Sequence, residues 1–365
     1  MAKYYSLFKI YGGASNALDQ LIPIIMAMAS KHRATEFYDI FGGGAHVAEN
    51  VPPFNDETSA VHTFDKVIYN DSDEGFCALL RLCQEYDTVE ILIDRILKRF
   101  ATVTVDKERC ADLLVAFDKQ KADDEPMSDI VINDWYFCKQ MHDCLDFDEY
   151  DRAAMTYVYK TFSYSGGSMV GTAISKEKSI VQNKADSLSN LYKHIEPLEN
   201  VSVNCGDAFK YLYSSELMAD SSKLLFLDPP WLSFKRFCTS EYTCEMAVTR
   251  QEAADRRAAD AEKQGIEPSD LPDLMYHSHE ELRDILLHTE RSNIIMIGYD
   301  HQKSYFDKSS HTWNNPFYEG LKLNGFIRIR LDVMNQSHDP KKIEYAWVKG
   351  LTEQELYDID SRFFM

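Results

Sequence analysis

Short β-rich segments alternate with helical patterns along most of this chain, and that alternation restricts its fold more than any other feature. Strands are expected at Glu36–Phe41, Lys66–Tyr69, Val201–Asn204, Leu224–Leu227, Asn293–Ile297, Phe326–Val333 and Lys342–Val348. Helices are expected at Ala14–Ala29, Glu74–Tyr86, Val89–Phe100, Cys110–Phe117 and Ser278–His288, the last opening on the capping-box pair Ser278 and Glu281. Strands that alternate with helices build a parallel sheet with helical cover, so the fold class is α/β. Only a polar turn around Asn335–Pro340 separates the last two strands, which predicts an antiparallel hairpin at the end of the sheet.

With 365 residues, 45% of them hydrophobic, the chain has apolar side chain enough for about two domains and is not mainly disordered. Its formal net charge of −20 excludes a cationic surface spread over the whole body, as nucleic acid or an anionic membrane would require. The charge is uneven. Between Asn50 and Tyr150 there are 23 acidic and 10 basic residues. Between Lys160 and His194 the balance reverses: Lys160, Lys176, Lys178, Lys184 and Lys193 face only Glu177 and Asp186. A solvated face is the plain reading of such a run. The reversal also makes it the first region to consider for phosphate contacts.

No apolar run approaches the roughly 18 to 20 residues of a membrane helix, so no membrane partner is expected. Leu21–Ala29 is apolar but short, and reads as the buried face of a helix. The cysteines show no CxxC pair, and Cys138, His142 and Cys144 fit no common zinc spacing. His277, His279 and His288 could suggest a metal, but His277 and His279 flank a helix cap, where surface histidines are common. Reduced thiols and no metal are therefore expected. Thr249–Asp273 is rich in charge and alanine and poor in large apolar residues; it reads as an exposed helix and loop within an inserted segment, 246–273.

The strongest chemical signal is Asp228-Pro229-Pro230-Trp231, directly after the buried-looking run Leu224–Leu227. In open α/β sheets ligands bind beyond the carboxyl ends of the strands. Proline fixes φ and carries no N–H, so the local carbonyls act only as acceptors. The Asp228 carboxylate and a proline carbonyl can together accept both hydrogens of an exocyclic amine, and Trp231 supplies a flat stacking face. A Pro-rich loop with Trp231 in the core is the structural alternative. A second signal is Tyr38-Asp39-Ile40-Phe41-Gly42-Gly43-Gly44, where three glycines close a β-run and let the backbone approach a ligand. It is neither a GxGxxG fingerprint nor an ATP-binding loop, since no Gly-Lys-Ser/Thr follows. Asp71, at the end of the second strand, suits ribose hydroxyls, while the cluster Asp71-Ser72-Asp73 also suits a helix N-cap. Cys205-Gly206-Asp207 follows another strand, and Tyr11-Gly12-Gly13 lies near the start of the sequence.

In this order, from about Phe8 to Val348, the motifs resemble those of the Dam-type DNA adenine-N6 methyltransferases, which use S-adenosylmethionine. The stretch Asp151–Gly166 is similar to the family's recognition helix and turn, and Lys341-Lys342-Ile343-Glu344 to its entry into the last strand. The sequence departs from the usual pattern at Ala14, where Lys is common, at Ile40, where Pro is common, and at Ala45-His46, where the loop usually ends in another Gly. Lys160-Thr161 stand where Asn-Arg is frequent, and Trp231 replaces the usual Tyr, a form also seen in RNA adenine methyltransferases.

The resemblance implies a Rossmann-like methyltransferase sheet with a C-terminal antiparallel hairpin, formed by residues 1–86 and 196–350, and a mainly helical target-recognition region over 87–195. It implies methyl transfer to adenine N6 by Asp228, Pro229, Pro230 and Trp231 on a base flipped out of duplex DNA. S-adenosylmethionine would lie against Tyr11, Gly12, Gly13, Asp39, Phe41, Gly42, Gly43, Gly44, Asp71 and Asp207. In that scheme Asp39 meets the cofactor amino group, Gly42–Gly44 the methionine part, Asp71 the ribose and Asp207 the adenine edge. Lys160, Lys176, Lys178, Lys184, Lys341 and Lys342 would meet nucleic acid. The implied location is the cytoplasm of a bacterial or phage-infected cell. RNA or another amine is the alternative acceptor, and a non-catalytic nucleic-acid-binding relative is the alternative to an enzyme. No feature points to a particular partner subunit.

Overall fold

The computed structural model describes residues 4–8, 17–51, 64–100, 102–123, 132–163, 178–179, 188–229, 274–299, 318, 320–331 and 344–364. Its strands are β1 (Glu36–Asp39), β2 (Lys66–Asp71), β3 (Thr102–Val103), β4 (Lys178–Ser179), β5 (Val201–Cys205), β6 (Lys223–Leu227), β7 (Ile294–Tyr299), β8 (Ile327–Leu331) and β9 (Glu344–Lys349). The principal helices are α1 (Leu18–His32), α2 (Glu74–Leu82), α3 (Tyr86–Arg99), α4 (Lys107–Ala122), α5 (Trp135–Met141), α6 (Glu149–Phe162), α7 (Ala208–Leu212), α8 (Ser215–Ala219), α9 (Leu274–His288) and α10 (Glu353–Ile359).

The chain divides into two compact units. One comprises 1–4, 14–70 and 207–365; the other comprises 5–13 and 71–206. Seven strands make up a mostly parallel sheet. Six of them lie in the first unit, in the order β2-β1-β6-β7-β9-β8, and the seventh, β5, belongs to the second unit.

In the first unit β1 pairs in parallel with β2 and with β6, and β6 pairs in parallel with β7. The hairpin of β8 and β9 closes the sheet with antiparallel pairing, as the short polar connection predicts. Strand β6 is central, and Leu224–Leu227 are each no more than 1% exposed. Strands covered on both faces read as continuous apolar runs, which accounts for its lack of alternation. Leu225 and Leu227 pack with Leu282 and Leu286 of α9 and with Ile294, Met296 and Trp347. Phe226 packs on Phe37, with ring centroids 6.2 Å apart.

Helix α9 starts at Leu274, four residues before Ser278, so Ser278 lies within the helix and not at its expected start. Leucine and methionine are strong helix formers and carry the helix upstream. The Glu281 carboxylate accepts a hydrogen bond from the Tyr213 hydroxyl. A capping box does form at Thr352 and Glu355, at the start of α10.

The second unit is mainly helical, with β3 and β4 paired antiparallel beside β5 in its inventory of strands. Helices α2, α4, α5 and α6 each begin at an aspartate: Asp73, Asp106, Asp134 and Asp148. Each carboxylate accepts backbone N–H groups of the first turn, which the helix itself leaves unpaired. The acidic excess between Asn50 and Tyr150 is thus partly structural. Further acids pair across helices: Asp151 of α6 meets Arg95 at 2.6 Å and Arg99 at 3.1 Å, both on α3.

Candidate functional site

The order of strands reverses between β1 and β6: the chain runs from β1 to β2 on one side, while β6 and β7 lie on the other. Such a reversal opens a crevice at the carboxyl ends of the strands. The register fixes what stands there. Asp39 is level with Tyr69 of β2 and Phe226 of β6. Pairing continues one step further, because Ile40 N–H donates to Phe226 O at 3.1 Å. Asp228 therefore follows β6 at the same end of the sheet at which Gly42–Gly44 follow β1. Asp39 is buried, Asp228 half-buried and Pro229 buried.

The glycine loop is held from β2. Gly42 N–H donates to Asn70 O at 2.8 Å, Asn70 Nδ2 donates to Ile40 O at 3.0 Å, and the Tyr69 hydroxyl donates to Gly43 O at 2.8 Å. Gly42 lies against the Tyr69 ring, where an added Cβ would stand only 2.1 Å from Cε2. Gly43 has φ +47°, and Ala45 has φ +56°. Ala45 N–H closes the turn on Gly42 O at 2.8 Å, and Glu49 N–H to Ala45 O at 2.9 Å begins a helical turn. A Cβ at Gly43 would meet nothing nearer than Phe41 O at 3.9 Å, so the outer face of the loop is open. The loop is thus a small cradle of backbone groups on the β1 side of the sheet end.

Asp207 caps α7, its Oδ1 accepting Phe209 N–H at 2.9 Å. Phe209 packs edge-on against Phe41, with centroids 6.4 Å apart, which brings the start of α7 to the glycine loop. The first unit thus gathers Asp39, Phe41, Gly42–Gly44, Asp207 and Asp228.

The second unit carries Asp71, whose Oδ1 accepts Asp73 N–H at 2.9 Å and whose carbonyl accepts Gly206 N–H at 2.9 Å. The expected N-cap of α2 is Asp73, with Oδ1 accepting Phe76 N–H at 2.8 Å. His142 Nδ1 is 2.9 Å from Lys139 O, and Nε2 is 3.2 Å from Asp73 Oδ2. Both neighbours are acceptors, so the arrangement favours an imidazolium that donates from both nitrogens. Burial lowers the His142 pKa, but the Asp73 carboxylate more than offsets this and raises it overall. Cys77 Sγ donates to Asn204 O at 3.4 Å.

Lys160 is half-buried, its Nζ 4.9 Å from the ring centre of Tyr159 and 5.9 Å from that of Phe76. Lys178 falls in β4, opposite Val103. Tyr11, Gly12, Gly13, Pro230, Trp231, Lys176, Lys184, Lys341, Lys342 and the segment 246–273 lie outside the described residues. Tyr69 and Asn70 belong to the motif run Val67–Asp71, in which only Asp71 has an expected role, and Phe209 lies two residues after Asp207. Adjacency to a motif is the signal that could have found them. Among the described residues no cluster of His, Cys, Asp and Glu could hold a metal, and no helix is long and apolar enough to cross a membrane.

No family model matches the chain, and no curated protein matches it.

Proposed function

We propose that the chain transfers the methyl group of S-adenosylmethionine to N6 of adenine in DNA. The observation that carries this reading is the β1–β6 register, which brings the open glycine loop and the Asp228-Pro229 corner to one end of adjacent parallel strands. The motif order in the sequence supports the same reading.

The cofactor supplies an already activated methyl group, so the task of the protein is alignment and charge placement. Gly42–Gly44 hold the methionine part through backbone groups. Asp39, Asp71 and Asp207 receive the polar edges of the nucleoside. Asp228 and the Pro229 carbonyl accept the two amine hydrogens of the target base, which localises the N6 lone pair for attack. Trp231 stacks on the base once it has left the duplex. Lys160, Lys176, Lys178, Lys184, Lys341 and Lys342 contact the phosphates, on an otherwise acidic body.

The test is transfer of labelled methyl from S-adenosylmethionine by the purified chain to duplex DNA, single-stranded DNA and RNA, followed by nucleoside digestion. Labelled N6-methyladenine from duplex DNA is the expected product. Label in RNA alone would make RNA the substrate. Absence of transfer together with absence of cofactor binding would reject the reading.

A further inference from the structure

We infer that Tyr69 is a positioning residue that turns the Gly43–Gly44 peptide so that the Gly44 N–H faces the carboxylate of an amino-acid-bearing nucleoside. The inference rests on the cofactor reading above and names the element that shapes its cradle.

Tyr69 is fully buried under the loop, and its ring occupies the space that any side chain at position 42 would need. Its hydroxyl draws the Gly43 carbonyl inward at 2.8 Å. A trans peptide is planar, and its C=O and N–H point in opposite directions. The Gly44 N–H on that peptide is therefore aimed away from Tyr69. Gly44 is buried, and its N–H has no hydrogen-bond partner among the described residues. A buried backbone donor is normally paired. A ligand carboxylate at this place would pair it, in a charge-assisted bond stronger than a neutral one.

The left-handed φ of Gly43 and of Ala45 belongs to the same arrangement. Without the Tyr69 hydroxyl the Gly43 carbonyl loses this inward hydrogen bond, and the peptide is held less firmly in its present orientation. Rotation would carry the Gly44 N–H off the ligand while leaving the nucleoside end of the pocket untouched. Two ligands separate these ends: S-adenosylhomocysteine, which has the carboxylate, and 5′-methylthioadenosine, which lacks the whole amino-acid part.

The experiment is calorimetric titration of the full chain and of Tyr69→Phe with both ligands, together with the amide resonance of Gly44 by NMR. Tyr69→Phe keeps the ring, and thermal unfolding of the variant is measured alongside to check that it folds. We expect Tyr69→Phe to weaken S-adenosylhomocysteine about tenfold, the loss of one hydrogen bond to a charged group, and to change 5′-methylthioadenosine less than about twofold. The Gly44 amide should shift on addition of S-adenosylhomocysteine to the wild type and not to the variant. Equal weakening of both ligands, or no weakening of either, would overturn the inference and leave the cofactor reading standing. A wild type that binds neither ligand would overturn the cofactor reading itself, and this inference with it.

Discussion

His142 Nε2 and Asp73 Oδ2 stand 3.2 Å apart in the interior of the second unit. Burial opposes charge on both groups, yet each is held ionised by the other. Asp73 lies well below the usual carboxylate range because His142, Lys160 and the Phe76 N–H outweigh the effect of burial. The His142 pKa is raised, with Asp143 adding to the effect of Asp73 and Lys160 opposing it. A histidine raised in the folded state contributes its full stability below the unfolded value of about 6.5 and loses it as pH rises through the folded value. An aspartate lowered in the folded state contributes above about 3.9 and loses its contribution as pH falls through the folded value. The pair therefore stabilises most between about pH 4 and 6.5. Thermal unfolding of the wild type should move to lower temperature as pH rises beyond that window. His142→Gln, which cannot titrate, should flatten that part of the profile. Parallel profiles for the two proteins would show that the pair does not control stability.

Asp228 follows the buried run Leu224–Leu227, but is itself half-buried at the carboxyl end of the strand. The Asp228 side chain is not among the buried core residues. Asp228→Ala should therefore lower methyl transfer by about 10² to 10³, the scale for losing one preorganised polar group at a reacting centre. Binding of S-adenosylhomocysteine should change by less than about threefold, because the proposed reaction assigns Asp228 to the target base and not to the cofactor. Rate and affinity falling together would assign Asp228 to cofactor binding instead.

Gly42 and Tyr69 are in close contact, and the cost of a methyl group at position 42 depends on the ring beneath it. Gly42→Ala would place Cβ 2.1 Å from Tyr69 Cε2 and 2.4 Å from Cδ2. The ring is fully buried and has nowhere to retreat. Overpacking of this kind costs about 1 to 3 kcal/mol. In a Tyr69→Ala background the ring is gone, and the added methyl should cost little. Chemical denaturation of the two single variants and the double variant closes the cycle. An equal cost of Gly42→Ala in both backgrounds would locate the strain elsewhere in the loop.

The parts of the fold that were legible are those whose signal is local. Leu224–Leu227 read as a buried strand because four apolar residues run straight into Asp-Pro-Pro, and the structure has β6 there. The β8–β9 hairpin followed from its short polar connection. Helix α5 was not legible: it is seven residues long, aromatic throughout its start, and depends on the Asp134 cap and on burial of Trp135 and Phe137. The start of α9 was misread because Ser278 and Glu281 fit a spacing rule that the upstream leucine and methionine override. In the candidate site, Asp39, Gly42–Gly44 and Asp228 were legible as motif residues at strand ends. The part played by Tyr69 was not, because it arises from the register of β1 against β2, which places a ring 27 residues away directly under Gly42.

Ala45 sets an unusual balance, since it holds a left-handed φ of +56° with its methyl group fully buried. A non-glycine residue there bears about 1 to 2 kcal/mol of steric cost. Replacing it with glycine removes that cost, but also removes a buried methyl worth about 0.8 kcal/mol and enlarges the freedom of the unfolded chain. These contributions nearly cancel, so Ala45→Gly should change stability by less than about 1 kcal/mol. Ala78 is equally buried but lies within α2. Ala78→Gly loses a methyl and helix propensity together, and should cost about 1.5 to 2 kcal/mol. Denaturant melts of the two variants compare one buried alanine with another, so only the backbone conformation differs. Equal losses at both positions would mean that the glycine loop bears no strain at Ala45.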